Sequence, residues 1–328
     1  MDPKLLERHE YEAGRLMREH PPRFSDANKR AVFARLLLDG EAPRGTLSAT
    51  RWAEAALPRV RPPTRPALTE RSGFFVYGEP APVGATHWHV NFAMSDCFGA
   101  YAGPLLAQDE LQVLEHPALG SLPEAASAEG FSILCVEDGR PTPVLVSGVE
   151  RRGELDTRPG PGRPNGLYGN QFARALEEEV LAALSRIEPP TISNIIAIEA
   201  PAYGSGTYDR DEVALILSTA FSGFRAAVLE TDRAAHSHRS RPRTVVHTGF
   251  WGGGAYGGNR ELMALLQLVA AELGQLDELV FYSVDEPGAE TFAAARKHYG
   301  ALPAEATVEQ VIDHVTSLGY EWGESNGT

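Results

Sequence analysis

Residues 245–259 read VVHTGFWGGGAYGGN, and the apolar-periodic run 262–273 follows them, so a strand, a glycine loop and a helix occur in succession. Glycines let the backbone approach an anion and adopt left-handed conformations. A helix start then points unpaired N–H groups and a positive dipole end at it. The segment is therefore expected to cradle the phosphates of a nucleotide or a diphosphate. Two other readings stay open. Gly252, Gly254 and Gly257 satisfy GxGxxG in the context of a dinucleotide fold, and the glycines also suit a tight turn with no ligand. A dinucleotide fingerprint usually opens its domain and has an acid about twenty positions onward. Here the loop falls late in the chain and the candidate acid, Asp285, is farther away. Trp251 and Tyr256 flank the glycines and favour a loop that also packs against a sugar or base.

At 328 residues the chain is long enough for one large domain, alone or with an accessory segment. Its formal charge of -14 argues against a nonspecific grip on nucleic-acid backbones and favours small charged ligands. Cys97 and Cys135 stand far apart with no CxxC pair, which argues against a disulfide framework or a Cys-based zinc site, and both read as buried thiols. The start, MDPKLLERHE, has no apolar core of signal-peptide length, and no uninterrupted apolar run reaches membrane-spanning length. A soluble, cytoplasmic protein with no membrane partner is the expectation.

Residues 1–57 read as helices, the first carrying Leu5, Leu6, Leu16 and Met17. Ser25 or Asp26 caps the second, with Val32, Phe33, Leu36 and Leu37 on one face and Gly40 at its end. A shorter one spans 48–57. Pro58, Pro62, Pro63 and Pro66, interleaved with Arg59, Arg61 and Arg65, form an extended connector. This divides the chain into a helical accessory segment with its connector, 1–67, and a main domain, 68–328. In the main domain, strands are predicted at 74–77, 86–93, 131–136, 144–149, 195–198, 244–248 and 279–283. Helices are predicted at 108–114, 171–187, 209–229, 260–273, 289–298 and 308–318. Such alternation implies a parallel or mixed sheet covered on both faces, with ligands outside the carboxyl ends of the strands. The Pro- and Gly-rich stretch 150–170 reads as a long functional loop.

Upstream, residues 89–117 read HVNFAMSDCFGAYAGPLLAQDELQVLEHP: a strand, a Gly/Ala-containing loop, then Gln108, Asp109 and Glu110 opening an amphipathic helix. Acids at a helix start also serve simply to complement its dipole. His87 and His89 alternate onto one strand face, as zinc ligands can, but without further spaced ligands they read as core or surface histidines. The run 233–243, RAAHSHRSRPR, is the one basic concentration. It is either a solvated loop or a device that steers an anionic substrate.

Together the two motifs make the chain resemble the poly(ADP-ribose) glycohydrolase family, whose catalytic macrodomain carries a VDFAN strand, a GGG loop, a QEE helix start and a later TGNWGCGAFGGD. Residues 90–93 match VDFA with Asn91 for the Asp, and Gln108-Asp109-Glu110 matches QEE. Residues 248–259, TGFWGGGAYGGN, match the late loop, while Ser147-Gly148-Val149-Glu150 and Ile196-Ala197-Ile198-Glu199 resemble the TGTE and IVAID strands. The resemblance covers roughly residues 70–320. It implies a macrodomain-like mixed α/β sheet sandwiched by helices, with an N-terminal helical accessory segment. The departures are Phe98-Gly99-Ala100 for GGG, Met94 for the Asn of DFAN, and Phe250 for the Asn of TGNWG. They imply a changed leaving-group or chain-length preference.

The resemblance further implies a hydrolase that cleaves at the distal ribose C1 of ADP-ribose on protein or nucleic acid and releases ADP-ribose. No cofactor or metal is required. Glu110 is the implied catalytic carboxyl, acid and then base, and Asp109 the implied ligand of ribose hydroxyls. The implied substrate-binding set is Asn91, Gln108, Phe98, Gly99, Ala100, Gly252, Gly253, Gly254, Ala255, Tyr256 and Gly257, with Glu79 near the adenine-reading acid and Tyr168 as the substitute for the adenine-stacking tyrosine. The alternatives are an ADP-ribose-binding macrodomain without catalysis and a NAD-dependent oxidoreductase.

Overall fold

Alternate residues of the central strands face opposite cores. Val144, Val146, Ile195 and Ala197 are buried on one side of the sheet, and Leu145, Ile196 and Ile198 on the other. A strand covered on both faces reads as a continuous apolar run, and that is how these stretches look in the sequence. The computed structural model describes residues 2–37, 42–77, 84–160, 162–235 and 241–327. The first half contains β1 (Leu5–Glu12), α1 (Ala13–Glu19), α2 (Ala27–Leu36), β2 (Thr46–Trp52), β3 (Ala67–Ser72), β4 (Ala85–Phe92), α3 (Gln108–Glu115) and α4 (Ser121–Glu129). Then come β5 (Val136–Glu137), β6 (Arg140–Pro141), β7 (Val144–Leu155), α5 (Glu177–Ala183), β8 (Leu184–Ile198), α6 (Arg210–Ala234) and β9 (Arg243–Thr248). The chain closes with α7 (Arg260–Gly274), β10 (Glu278–Val284), α8 (Glu286–Ala301) and α9 (Val308–Ser317).

Among the described residues one mixed sheet has the order β1-β2-β7-β8-β4-β9-β10-β3, and β5 and β6 form a separate ribbon. The pairs β8/β4, β4/β9, β9/β10 and β10/β3 are parallel, and β1/β2, β2/β7 and β7/β8 are antiparallel. α6 and α7 cover one face over Trp88, Val90 and Val246, while α1, α3 and α4 cover the other over Leu47, Val144 and Ile195. This is the expected mixed α/β sheet sandwiched by helices. α6 is long and apolar enough to cross a bilayer by length and composition, although no apolar run of that length stands out in the sequence. Since 72% of its apolar window is buried inside the fold, it reads as a core helix.

The N-terminal expectation needs correction. Leu5 and Leu6 lie in β1 rather than in a helix, and the first half of the expected helix at 48–57 is the end of β2, which pairs with β7. Helical and strand periods are ambiguous in so short a run, and the pairing partner in β7 decides between them. Among the described residues of this segment only α1 and α2 are helical, with Asp26 capping α2 by accepting the Lys29 amide at 2.9 Å. Gly40 lies outside the described residues. The first 52 residues thus give the sheet two strands instead of forming a purely helical segment. The connector is docked as well. Arg61 makes paired hydrogen bonds of 3.0 and 2.8 Å to Glu272 of α7, both side chains buried, and Tyr299 donates to the same carboxylate.

The helix expected at 171–187 breaks into a 3-10 turn (Phe172–Arg174), α5 and the start of β8, whose Leu184 pairs with Leu155 of β7. Pro189 and Pro190 just beyond are incompatible with a helix interior. Residues 74–77 form no named strand, the neighbouring strand being β3, and of 131–136 only Val136 is in one. Leu47→Ala is expected to lower the global unfolding free energy by about 2–5 kcal/mol, because the deleted atoms lie in the shared core. Urea denaturation followed by two probes checks this; a separate early transition for residues 1–67 would contradict it.

Candidate active site

The site begins where the sheet opens. β4 pairs with β9 as far as His89↔His247, and with β8 on its other side as far as Phe92↔Ile198. Beyond Thr248 the chain leaves as the glycine loop, so the β9-facing groups at the end of β4 lose their strand partner. Gln108 replaces it: its Oε1 accepts the Phe92 amide at 2.8 Å and its Nε2 donates to the Val90 carbonyl at 3.1 Å. The first residue of α3 is thereby fastened to the strand end. Asp109 and Glu110 follow it on α3, Asp109 beside Asn91 of the same strand end, and on the side that β9 leaves a Cβ added at Gly249 would lie 3.7 Å from the Phe92 ring.

Both acids are buried. Asn91, on the same strand end, donates to Asp109 Oδ1 at 2.9 Å, while Asp109 Oδ2 and Asn91 Oδ1 have no protein partner among the described residues. Burial and then the Glu110 charge push the Asp109 carboxyl up to about 7, against the opposing pull of Asn91 and Lys29. Glu110 Oε2 accepts the Ala107 amide at 2.8 Å, which satisfies one helix-start donor. Its carboxyl is also raised by burial, and the backbone bonds and Lys29 limit the rise.

The glycine loop is built more tightly than the sequence suggests. Gly252 and Gly257 have positive φ (76° and 72°), and a Cβ on Gly252 would lie 2.6 Å from that of Ala200. The amides of Gly253, Gly257 and Gly258 are spent on carbonyls inside the loop. Those of Gly252, Gly254, Ala255 and Tyr256 make no hydrogen bond among the described residues, so 254–256 present consecutive N–H groups, a backbone arrangement that suits an anion. The start of α7 contributes less than expected, because the Asn259 side chain accepts the Glu261 and Leu262 amides, each at 3.1 Å. Residues 320–327 run along this loop, with Gly323 N donating to Gly257 O at 2.8 Å and Asn170 Nδ2 to Gly327 O at 2.6 Å.

Trp251 does not face a ligand. It is fully buried and its indole donates to Ile198 O at 2.9 Å, which pins the loop to the end of β8. Tyr256 is half-buried, its hydroxyl 3.4 Å from Glu199 and its ring 5.6 Å from exposed Tyr203. Burial, then Glu199, Tyr203 and Asp109, push that hydroxyl up. The two motifs, far apart in sequence, both reach Phe92: its amide donates to Gln108, and its ring lies 3.7 Å from a Cβ added at Gly249.

Other candidates divide. Phe98 has a left-handed backbone (φ 62°) that favours glycine, yet its ring is wholly buried in the core, so its bulk does not narrow the site. A Cβ on Gly99 would lie 2.6 Å from Asp96, and Ala100 follows in the 3-10 turn Gly99–Ala102. Phe250 is buried edge-on to Phe281, whereas Met94 is exposed. Tyr168 stacks on Phe74 and feels the Glu110 charge. Glu79 lies outside the described residues. Cys97 and Cys135 are buried free thiols, as expected.

His87 and His89 form a sheet-face cluster with His247, Nδ1 of His87 lying 2.8 Å from Nε2 of His247. Among the described residues no three His, Cys, Asp or Glu side chains are grouped to hold a metal ion. The described ends of the basic run lie at the end of α6 and the amino end of β9, the end away from the glycine loop. There Arg233 pairs with Glu230, Arg241 with Asp232 and Arg243 with Glu278, and residues 236–240 are outside the described set. Steering at the mouth of the site does not follow from this placement.

Residues 168–291 match the sequence model of the family described as poly(ADP-ribose) glycohydrolase, macro domain fold. The matched stretch includes the glycine loop and begins downstream of Gln108, Asp109 and Glu110. Among solved structures, the chain is similar to poly(ADP-ribose) glycohydrolase from Thermomonospora curvata (17% identity, TM-score 0.42, covering 88% of this chain and 85% of that one). It is also similar to the Deinococcus radiodurans enzyme solved with ADP-ribose (15%, 0.41, covering 90% and 95%) and to a Trypanosoma brucei macrodomain solved with ADP (15%, 0.38, covering 89% and 100%). No curated protein matches the chain.

Two charged residues at the site were not in the sequence-derived set. Glu199 follows the end of β8 as a third carboxyl, raised by burial. Lys29 is buried on α2, and the signal was present: Lys29, Val32, Phe33 and Leu36 follow helical spacing, which places a lysine on the apolar face. Opposite stability effects are expected from two neighbouring substitutions. Gln108→Leu strands the Phe92 amide and the Val90 carbonyl and should destabilise by about 1–3 kcal/mol per group. Asp109→Asn should stabilise, because the folded carboxyl titrates above its ordinary range. Its ionisation as pH rises towards and past 7 costs stability that asparagine does not lose, so the gain is larger at pH 8 than at pH 5. Thermal denaturation at the two pH values measures both.

Proposed function

We propose that the protein is an ADP-ribosyl glycohydrolase that cleaves the glycosidic bond at the distal ribose C1 of ADP-ribose carried on protein, polymer or nucleic acid, and releases ADP-ribose. One observation carries this reading: a buried carboxyl pair with an unpartnered oxygen opens the helix fastened to the end of β4, and an amide-rich glycine loop leaves the end of the neighbouring parallel strand β9. The family match over residues 168–291 supports it. The nest 254–256 suits the diphosphate. Asp109 Oδ2 and Asn91 Oδ1 suit ribose hydroxyls, and half-buried Tyr256 suits the apolar side of the distal ribose.

Departure of the leaving group develops positive charge on the ribose, and the leaving atom needs a proton. Glu110, raised by burial, supplies it, and its carboxylate then removes a proton from the water that attacks C1, which restores the acid. Asp109 holds the ribose and shields the developing charge. The oxidoreductase reading loses its ribose-binding acid, since Asp285 caps α8 by accepting the Gly288 amide at 2.9 Å.

Incubation with substrates labelled on ADP-ribose and differing in linkage (ester, arginine N-glycoside, nucleobase, ribose–ribose) tests the proposal. Glu110→Gln is expected to lower turnover by about 10²–10⁴-fold, with ADP-ribose affinity by calorimetry changed only a few-fold. Full activity in that variant would remove Glu110 from the role. ADP-ribose binding with no turnover on any linkage would make the protein a reader.

A further inference from the structure

The end of β8 brings a third carboxyl to the sheet face that carries the acidic pair. Asn91↔Ala197 and Phe92↔Ile198 are partners in the parallel β4/β8 ladder, and Ala93 N donates to Ile198 O at 3.1 Å. Glu199 therefore follows about 6.6 Å beyond the partner of Asn91, one strand over. Ile198 and Ala200 belong to the α6/α7 core, as do Val90 and Phe92, so alternation turns Glu199 and Asn91 to the opposite face, where Asn91 donates to Asp109 at 2.9 Å. The glycine loop closes the other flank. The Tyr256 hydroxyl lies 3.4 Å from Glu199 Oε1, Tyr203 N donates to Tyr256 O at 3.1 Å, and the two tyrosine rings stand 5.6 Å apart. Tyr203 is 73% exposed on a left-handed backbone (φ 58°), so its ring is an aromatic face held out at the rim. Glu199 is half-buried, and the groups that hydrogen-bond it, the Ser95 backbone and the Tyr256 hydroxyl, are neutral. It forms no ion pair among the described residues.

We propose that Glu199, Tyr203 and Tyr256 form a leaving-group subsite for a guanidinium, so that the acceptor released is an arginine side chain; its place in the reaction rests on the glycohydrolase reading. A half-buried carboxylate without a counter-charge is costly, and a cation seated beside it removes the cost. The diphosphate suited to 254–256 is anionic and is repelled by Glu199, which leaves the acceptor end of the substrate to meet it. A guanidinium matches this place better than an ammonium, because its planar fork pairs with a carboxylate while its face stacks on an aromatic ring. A serine hydroxyl, a second ribose or a neutral nucleobase leaves the charge of Glu199 unbalanced. The formal charge of -14 also draws cationic acceptors and holds off nucleic acid.

Two peptides that differ only in linkage, one ADP-ribosylated on arginine and one on serine, test the subsite through the ratio of their kcat/KM values. The ratio is expected to favour arginine in the parent protein and to fall about 10–100-fold in Glu199→Gln, which keeps the shape and removes the charge. Tyr203→Asn, an exposed change to a residue that tolerates the left-handed backbone, is expected to lower it about 2–5-fold. A ratio that Glu199→Gln leaves unchanged, or a preference for the serine, nucleobase or ribose–ribose linkage, would overturn the proposal and leave the glycohydrolase reading standing. Calorimetric titration of methylguanidinium, with methylurea as its neutral isostere, into the protein saturated with ADP-ribose needs no turnover. Binding of the cation alone, lost in Glu199→Gln, supports the subsite; equal binding of both probes, or of neither, counts against it. If no linkage is cleaved, the glycohydrolase reading fails while this titration still decides what Glu199 recognises.

Discussion

The site depends on one substitution of partners at the end of β4. A strand paired on both sides needs an acceptor and a donor at every step, and β9 withdraws after Thr248 to become the glycine loop. The Gln108 amide supplies both groups at once, accepting from Phe92 and donating to Val90. The crevice this leaves between β4 and β9 is therefore free of unmet backbone groups on the β4 side. Its geometry also fixes α3, and with it Asp109 and Glu110, relative to the loop. Glutamine fits this place because it carries an acceptor and a donor on one planar group long enough to reach two successive backbone positions.

The electrostatics run against stability. Asp109, Glu110 and Glu199 are raised by burial, and Lys29 is lowered by it, so each is held where its charged form is disfavoured. A left-handed Phe98 adds backbone strain nearby. Well-satisfied polar pairs elsewhere stand in contrast. Arg61 and Glu272 close a complete hydrogen-bonded pair with Tyr299, and Arg151 lies over Tyr77 while bonding Glu115. Buried charge with unmet bonding at one place, and full satisfaction at others, is the pattern expected when function opposes stability locally.

Much of the architecture was legible in the sequence. The strands containing Ile196 and Phe281 are apolar on both faces, and α3, α7, α8 and α9 follow helical periodicity close to their expected bounds. The N-terminal strands were not, because β2 has an alternation short enough to pass for a helix turn and its ladder partner lies in β7. The helix expected at 171–187 failed for a similar reason: the pairing of Leu184 with Leu155 outweighs local propensity. In the site, the motifs identified Gln108, Asp109, Glu110 and the glycines, but not which amides of the loop are spent internally. Trp251 looked like a ligand-facing aromatic because sequence shows a residue's neighbours along the chain and not the carbonyl of Ile198 that holds its indole.

The sequence by itself determined the chemistry brought to the molecule: a carboxyl pair at a helix start, an anion-suited glycine loop after a strand, and an alternation of elements that implies a covered sheet. Only the tertiary structure decided that β4 and β9 are neighbours and that Gln108 takes the place of β9 at the end of β4. The physical reason is that strand order and side-chain burial are set by contacts between distant segments. Titration follows burial and neighbouring charge, which no local pattern encodes.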